Sequence, residues 1–294
     1  MKKVFIAGRD EDKKRLDKFL SSQLSDISRS KIASLIKKGF VKVNQQFLKG
    51  SYLLSTNDKV EIKIPEVDQR LKPYNKPVTV LWEDESLLAV YKPQGLVVHP
   101  HGQNKDKTLI NALLYKEKQL SDIDPERPGV VHRLDKETSG VIILAKNNKV
   151  HKLLVEQFKN RQVQKEYYAL VWGQPKNDQF EVNLSLRRNK KNRLKMEVGL
   201  SNSKSAHTKI KVLQRLDNKT SLLSVSPKTG RMHQIRVHLS FLGYPIAGDK
   251  KYGKKDNYKN LFLHAYRIKI KHPIAGNFLE FKAELPEYFK KLIQ

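Results

Sequence analysis

No cysteine occurs among the 294 residues of this chain. Disulfides and thiolate metal sites are thereby excluded, and packing and hydrogen bonds must hold the fold. Long apolar runs are missing too: none approaches the roughly 20 residues needed to span a bilayer. The opening "MKKVFIAG" imitates an export signal for a few residues only, because "RDEDKK" follows at once, so a cytoplasmic protein with no membrane partner is expected. Neither GxxxxGKS/T nor GxGxxG is present, which removes the usual nucleotide-phosphate loops. Acidic side chains are the remaining shortage. Against 58 Lys and Arg stand 30 Asp and Glu, a formal net charge of +28.

Such a field draws polyanions, a nucleic acid above all, although a lysine-rich solvated surface would also carry it. Residues 1–64 hold 15 basic against 7 acidic side chains, so both ends of the chain are cationic, as suits one extended ligand touching both. The acids are too scattered for a metal-dependent nuclease. His99, His101, His132, His233, His238 and His264 are spread through the sequence. His233 and His238, five apart, share neither a helix nor a strand face, and no carboxylate completes a set around His99 and His101. No metal and no cofactor are expected.

Apolar spacing divides the chain. Leu16, Phe19, Leu20 and Leu24 recur at helical intervals. In "SRSKIASLIKKGF" Ser28 or Ser30 can cap a second helix with Ile32, Leu35 and Ile36 inward and Gly39 ending it. Its other face carries Arg29, Lys31, Lys37 and Lys38. Short strands follow in "FVKVN" and "KVEIKI". Residues 1–64 therefore read as a compact α+β module able to grip an RNA backbone through Arg29, Lys37 and Lys38. Residues 65–77, with three prolines and no apolar period, read as a linker. Residues 78–294 alternate strands at hairpin-length spacing with irregular helices. A larger α+β domain is expected, with a mixed, mostly antiparallel sheet flanked by helices and loops that form a cleft.

Within that domain "VHRLDKETSGVIILAKN" sets Asp135 between Arg133 and Lys136, on a turn feeding a buried strand. An exposed ion pair would explain this, and so would a catalytic carboxylate held ionised. In "KEYYALV" Tyr167 shares a strand face with Ala169 and Val171, as core or as a ring beside a ligand. "PKTGRMHQIRVHLSFLGYPIAGDKKYG" brings Gln234, Arg236 and His238 behind a Gly-Arg turn. "RRNKKNRLKM" reads as a hairpin tip carrying Arg187, Arg188, Lys190, Lys191 and Arg193. "DKKYGKKDNYKN" reads as a second cationic loop whose tyrosines could stack on loose bases.

The segments "YKPQGLVVHP", "HRLDKETSG", "KEYYALVWG", "TGRMHQIRVHLSFLGYPIAGDKKYG" and "LFLHAYRIKIKHP" together resemble the RluA/RluD type of RNA pseudouridine synthase over about residues 80–285. "RLDKFL", "SRSKIASLIKKGFVKVN" and "NDKVEI" resemble the small RNA-binding domain of ribosomal protein S4 type. The resemblance implies isomerisation of uridine in RNA. Asp135 would be the catalytic carboxylate, Tyr167 the ring near the base, and Arg236 the cation holding Asp135 bidentately. Arg133, a long cation beside that carboxylate, could fill the gap left by an extruded uridine, at a cost of a few kcal/mol for the flip, or could instead form a structural ion pair with a nearby acid. Arg231, Gln234, Ile235, Arg187 and Arg193 are further expected substrate contacts. Large-subunit ribosomal RNA is the preferred substrate and transfer RNA the alternative; a non-catalytic RNA-binding or ribosome-assembly factor is the reading from another class. A monomer is expected.

Overall fold

The computed structural model describes residues 2–24, 27, 29–64, 71–101, 106–116, 118–217 and 219–293. The chain divides into two compact units, one ending at Gln69 and one beginning at Arg70.

The first unit contains β1 (Lys2–Ile6), α1 (Leu16–Gln23), α2 (Arg29–Lys37), β2 (Val41–Val43) and β3 (Lys59–Lys63). Its antiparallel sheet runs in the order β1-β3-β2. Leu16, Phe19, Leu20, Ile32, Leu35 and Ile36 form the core against Val41, Val43, Val60 and Ile62, so the helical and alternating spacings place the side chains that pack. Gly39 ends α2 as expected: at φ 74° it lets its own N–H reach the Ile36 carbonyl and the Phe40 N–H reach that of Leu35, the paired bonds that satisfy a helix C-terminus. Ser28 lies outside the described residues, and Ser30 falls inside α2 rather than before it. The opening residues, read only for their apolarity, form β1 instead.

The second unit is built on one sheet, ordered β4-β5-β6-β13-β7-β12-β11-β8, with β14 pairing off β13. Its strands are β4 (Thr79–Glu83), β5 (Leu87–Lys92), β6 (Ser139–Ala145), β7 (Gln164–Trp172), β8 (Gln179–Asn183), β11 (His207–Arg215), β12 (Thr220–Pro227), β13 (Leu263–Lys271) and β14 (Phe278–Lys282). The helices are α3 (Leu109–Tyr115), α4 (Asn148–Lys159), α5 (Gln234–Phe241) and α6 (Glu287–Lys290). A separate two-stranded hairpin pairs β9 (Leu186–Arg188) with β10 (Met196–Val198). Every pairing in the large sheet is antiparallel except β6 with β13, and the mixed α+β architecture is the one expected. The expected linker 65–77 is divided: 65–70 lie outside the described residues, while the Tyr74 N–H and the Lys72 carbonyl are hydrogen bonded to Asn111 of α3.

The parallel pair positions the site. Gly140, at φ 121°, lies so close to β13 that a Cβ there would come 2.2 Å from the Ala265 carbonyl oxygen. Only glycine fits. β6 is buried along its whole length, so the turn preceding it, which carries Asp135, is anchored at the sheet's centre.

Candidate active site

Asp135 opens a turn closed by the Thr138 N–H on its own carbonyl, 3.1 Å away. Its neighbours are fixed. Leu134 is buried in the core beneath, and the Lys136 carbonyl accepts from the Gly95 N–H at 2.8 Å and the Lys92 ammonium at 3.2 Å. The carboxylate keeps 22% of its surface open and lines a cleft of about 730 Å³, within the size range of small-molecule sites. It is no surface ion pair on an exposed turn.

Arg236 lies in the first turn of α5 and is buried. It does not clamp Asp135 with two bonds as expected. Its Nε and Nη2 donate to the two oxygens of Asp249, at 2.8 and 2.7 Å, while a single Nη1 reaches Asp135 Oδ2 at 3.4 Å. The planar fork is spent on the buried carboxylate and one edge remains for the cleft. Asp249 also accepts the backbone N–H groups of Lys251 and Tyr252. Burial works to raise its pKa; the hydrogen bonds and charge of Arg236, with those two N–H groups, prevail and hold it below the usual carboxylate range. Burial likewise opposes the guanidinium charge, and Asp249, Asp135 and Glu137 outweigh it. Asp249 was hidden in sequence inside a segment that reads as a cationic loop.

Tyr167 comes from β7, paired on one side with Val225 of β12 and on the other with Ala265 of β13. Its ring packs at the seam of two core clusters and lines the cleft. Burial, reinforced by Asp135, pushes the phenol well above its ordinary pKa. The hydroxyl is thus held protonated, which suits a hydrogen-bond donor and works against direct proton abstraction by Tyr167.

Arg133 stands exposed at the cleft and makes no ion pair among the described residues. Arg231 also lines the cleft, its Nε on the Ser205 carbonyl, and Ile235 supplies apolar wall. Gln234 departs from its expected role. Its amide donates to the His207 carbonyl and Thr208 Oγ1 and accepts from Thr229 Oγ1 and the Arg231 N–H. All four bonding positions are filled by protein, so Gln234 braces the Thr229–Arg231 turn instead of reading a ligand.

The basic hairpin forms, with short arms β9 and β10. Arg187 is turned back onto Glu197 and Ser201 and is spent on the hairpin's own structure; Arg193 is exposed, and Arg188 reaches the cleft. The tyrosines of the loop after Asp249 are not free to stack on bases: Tyr252 lies against the Arg236 guanidinium, 5.3 Å from its carbon, and Tyr258 packs on Trp172 and Phe262. In the first unit Lys37 and Lys38 are exposed, whereas Arg29 shares Asp17 with Arg15.

Two lysines were missed because lysine is ordinarily a surface residue. Lys92, fully buried, donates to the carbonyls of Pro93, Leu96 and Lys136 and so ties β5 to the Asp135 turn. Burial lowers its pKa to about 7, with Asp135 and Glu137 opposing. Lys165 lines the cleft two residues before Tyr167, on the same strand face, and burial lowers it to about 8. The period-two spacing from Tyr167 was the available signal. Among the described residues no group of three or more His, Cys, Asp or Glu is placed to hold a metal ion, and no helix is long and apolar enough to cross a membrane.

A carboxylate, an aromatic ring and a braced guanidinium in a cationic cleft on this sheet define an enzyme acting on a polyanion. The chain belongs to the RNA pseudouridylate synthase family, whose model matches residues 86–241, and an S4 domain matches residues 14–60. An RNA pseudouridine synthase of Aquifex aeolicus is 42% identical, the match covering 96% of this chain and 93% of that one. The ribosomal large subunit pseudouridine synthase D of Borreliella burgdorferi is 37% identical over 95% and 88% of the two chains. Among solved structures, human RNA Pseudouridylate Synthase Domain Containing 1 superposes with a TM-score of 0.61 at 25% identity, covering 76% of this chain and 87% of that chain. The chain is an isomerase that converts uridine to pseudouridine in RNA.

Proposed function

We propose that the substrate is large-subunit ribosomal RNA and that Asp135 carries the reaction. The observation that supports this most is the carboxylate's position: open to the cleft, faced by one edge of a guanidinium whose other edge is locked elsewhere, with an aromatic ring beside it. Breaking the N1–C1′ bond builds positive character on the ribose. An ionised oxygen there either adds to C1′ or removes the C2′ proton, and both routes begin from the same contact. The freed uracil turns against Tyr167 and rejoins through C5, whose proton then leaves to solvent or to a group reached through water. Arg133 takes the space of the extruded nucleotide. Arg231, Arg188 and Arg193 with Lys37 and Lys38 hold phosphates. No metal and no cofactor enter, and the enzyme acts as a cytoplasmic monomer.

The choice of ribosomal RNA rests on the names borne by the Borreliella and Zymomonas mobilis relatives, both large-subunit pseudouridine synthases D. Pseudouridine mapping of total RNA from cells with and without the gene tests it. Sites lost from large-subunit ribosomal RNA are expected; a loss confined to transfer RNA overturns the substrate while sparing the chemistry.

Lys165 adds a pH dependence. Its ammonium, held low by burial, is present below pH of about 8 and lost above it. Acting as a phosphate contact in the cleft, it makes kcat/KM fall as pH rises through that value. Replacing Lys165 by Arg, charged throughout, is expected to move the alkaline limb to higher pH. An unmoved limb would remove Lys165 from substrate binding.

A further inference from the structure

Besides Arg236, a histidine also faces the Asp135 carboxylate. His233 Nε2 lies 3.8 Å from Asp135 Oδ2. His233 is the residue that starts α5, and it does so at φ 55° and ψ 20°, a left-handed conformation that an L residue other than glycine adopts at a cost. The turn thereby aims the imidazole into the cleft it lines. Its far nitrogen, Nδ1, is 2.8 Å from the Tyr252 hydroxyl. That hydroxyl already accepts the Met196 N–H of β10, at 2.7 Å. With one lone pair so occupied, its own proton can be donated to Nδ1. That arrangement leaves Nδ1 bare and puts the ring proton on Nε2, the nitrogen facing the carboxylate.

Granting Asp135 as the catalytic carboxylate, we propose that His233 is a positioning residue that presents an N–H to Asp135, its tautomer set by Tyr252 and, through Met196, by the basic hairpin. The 3.8 Å separation is longer than a hydrogen bond, and catalytic contacts commonly tighten when substrate closes the site. A shift of about 1 Å suffices. The charges around the imidazole keep it neutral in balance. Burial lowers its pKa first; Asp135 and Asp249 raise it, and Arg236 and Lys251 lower it. Lys195 of the hairpin lies 6.0 Å from the Tyr252 ring, and Glu137 stands beyond Arg236. A neutral N–H steers one carboxylate oxygen without forming a second ion pair that would blunt its attack. It also links RNA bound along the hairpin to the orientation of the reacting oxygen.

The test is single-turnover tritium release from C5-labelled total RNA of cells lacking the gene, with RNA affinity measured in parallel by filter binding. His233→Ala is expected to lower the rate about 10- to 100-fold, as for loss of a hydrogen bond to a charged group, with RNA affinity within about twofold. His233→Gln, whose amide N–H can occupy the Nε2 position, should recover most of the loss. Tyr252→Phe should lower the rate several-fold in the parent and have no further effect in His233→Ala. A merely structural role predicts Gln no better than Ala, rates that follow the melting temperature, and additive effects at the two positions; any of these overturns the proposal. Asp135→Asn run beside them separates the two levels: if it is inactive while His233→Ala retains full rate, the carboxylate's role stands and the histidine's falls.

Discussion

Asp135→Asn is expected to bind RNA within about threefold of the parent chain and to form no pseudouridine, a loss of about 10⁴-fold or more in rate. The substitution keeps the shape of a side chain that is only partly exposed and whose backbone turn is fixed by other groups, namely the Thr138 N–H, the Lys92 ammonium and the Gly95 N–H. Folding should be nearly untouched. What changes is the anion. An amide neither adds to a ribose carbon nor accepts its proton at useful rates, so both routes fail together. The affinity is retained because phosphates are met by the cations at the rim, and one lost negative charge among them weakens no contact. A mass-spectrometric search for pseudouridine in RNA incubated with the variant is the measurement. Turnover by the variant at the parent rate would move the catalytic role elsewhere.

The parts of this site that sequence disclosed are those whose meaning is local. Helical spacing in α1 and α2 placed the core of the first unit, and alternation in β7 put Tyr167 on the face of Ala169 and Val171. The pairing of Asp135 with Arg236 spans 101 positions. It was legible only through the family resemblance, because no periodicity links residues that meet across a sheet. The resemblance also misled in detail: it supplied the pair without the competitor. Asp249 stands in "GDKKYG", where composition says exposed loop, and only the fold shows that it is buried and takes the guanidinium fork. Gln234 failed for the converse reason, since a polar residue in a motif looks available until its four bonds are counted. β1 was missed because Val4, Phe5 and Ile6 run consecutively; only Phe5 packs inward, against Phe19, while Val4 and Ile6 are exposed, an arrangement without alternation in the sequence.

The second large effect falls on stability. Removing Asp249 leaves the Arg236 charge at 2% exposure with only long contacts among the described residues, to Asp135 at 3.4 Å and Glu137 at 3.9 Å. Breaking one member of a buried pair costs about 3–5 kcal/mol, because the orphaned charge keeps its desolvation penalty. Asp249→Ala should therefore lower the melting temperature by on the order of 10 °C for a unit of this size. Part of that loss comes from the Lys251 and Tyr252 N–H groups, which the same carboxylate caps. Asp249→Asn separates the two contributions. The amide oxygen still accepts from the backbone, while the charge is gone, so the variant should lie between Ala and the parent chain. The catalytic consequence runs through Arg236. Released from Asp249, the guanidinium is free to turn its fork onto Asp135, the very geometry the family resemblance suggested, and to hold it too tightly to act. The Asn variant should thus show a fall in single-turnover rate larger than its modest loss of stability explains, at temperatures well below melting. Replacing both partners with apolar side chains, Arg236→Met with Asp249→Leu, should restore much of the melting temperature, since exchanging a whole buried ion pair is often neutral, and should leave isomerisation absent. Recovery of activity in that double variant would show that Arg236 serves the fold and not the reaction.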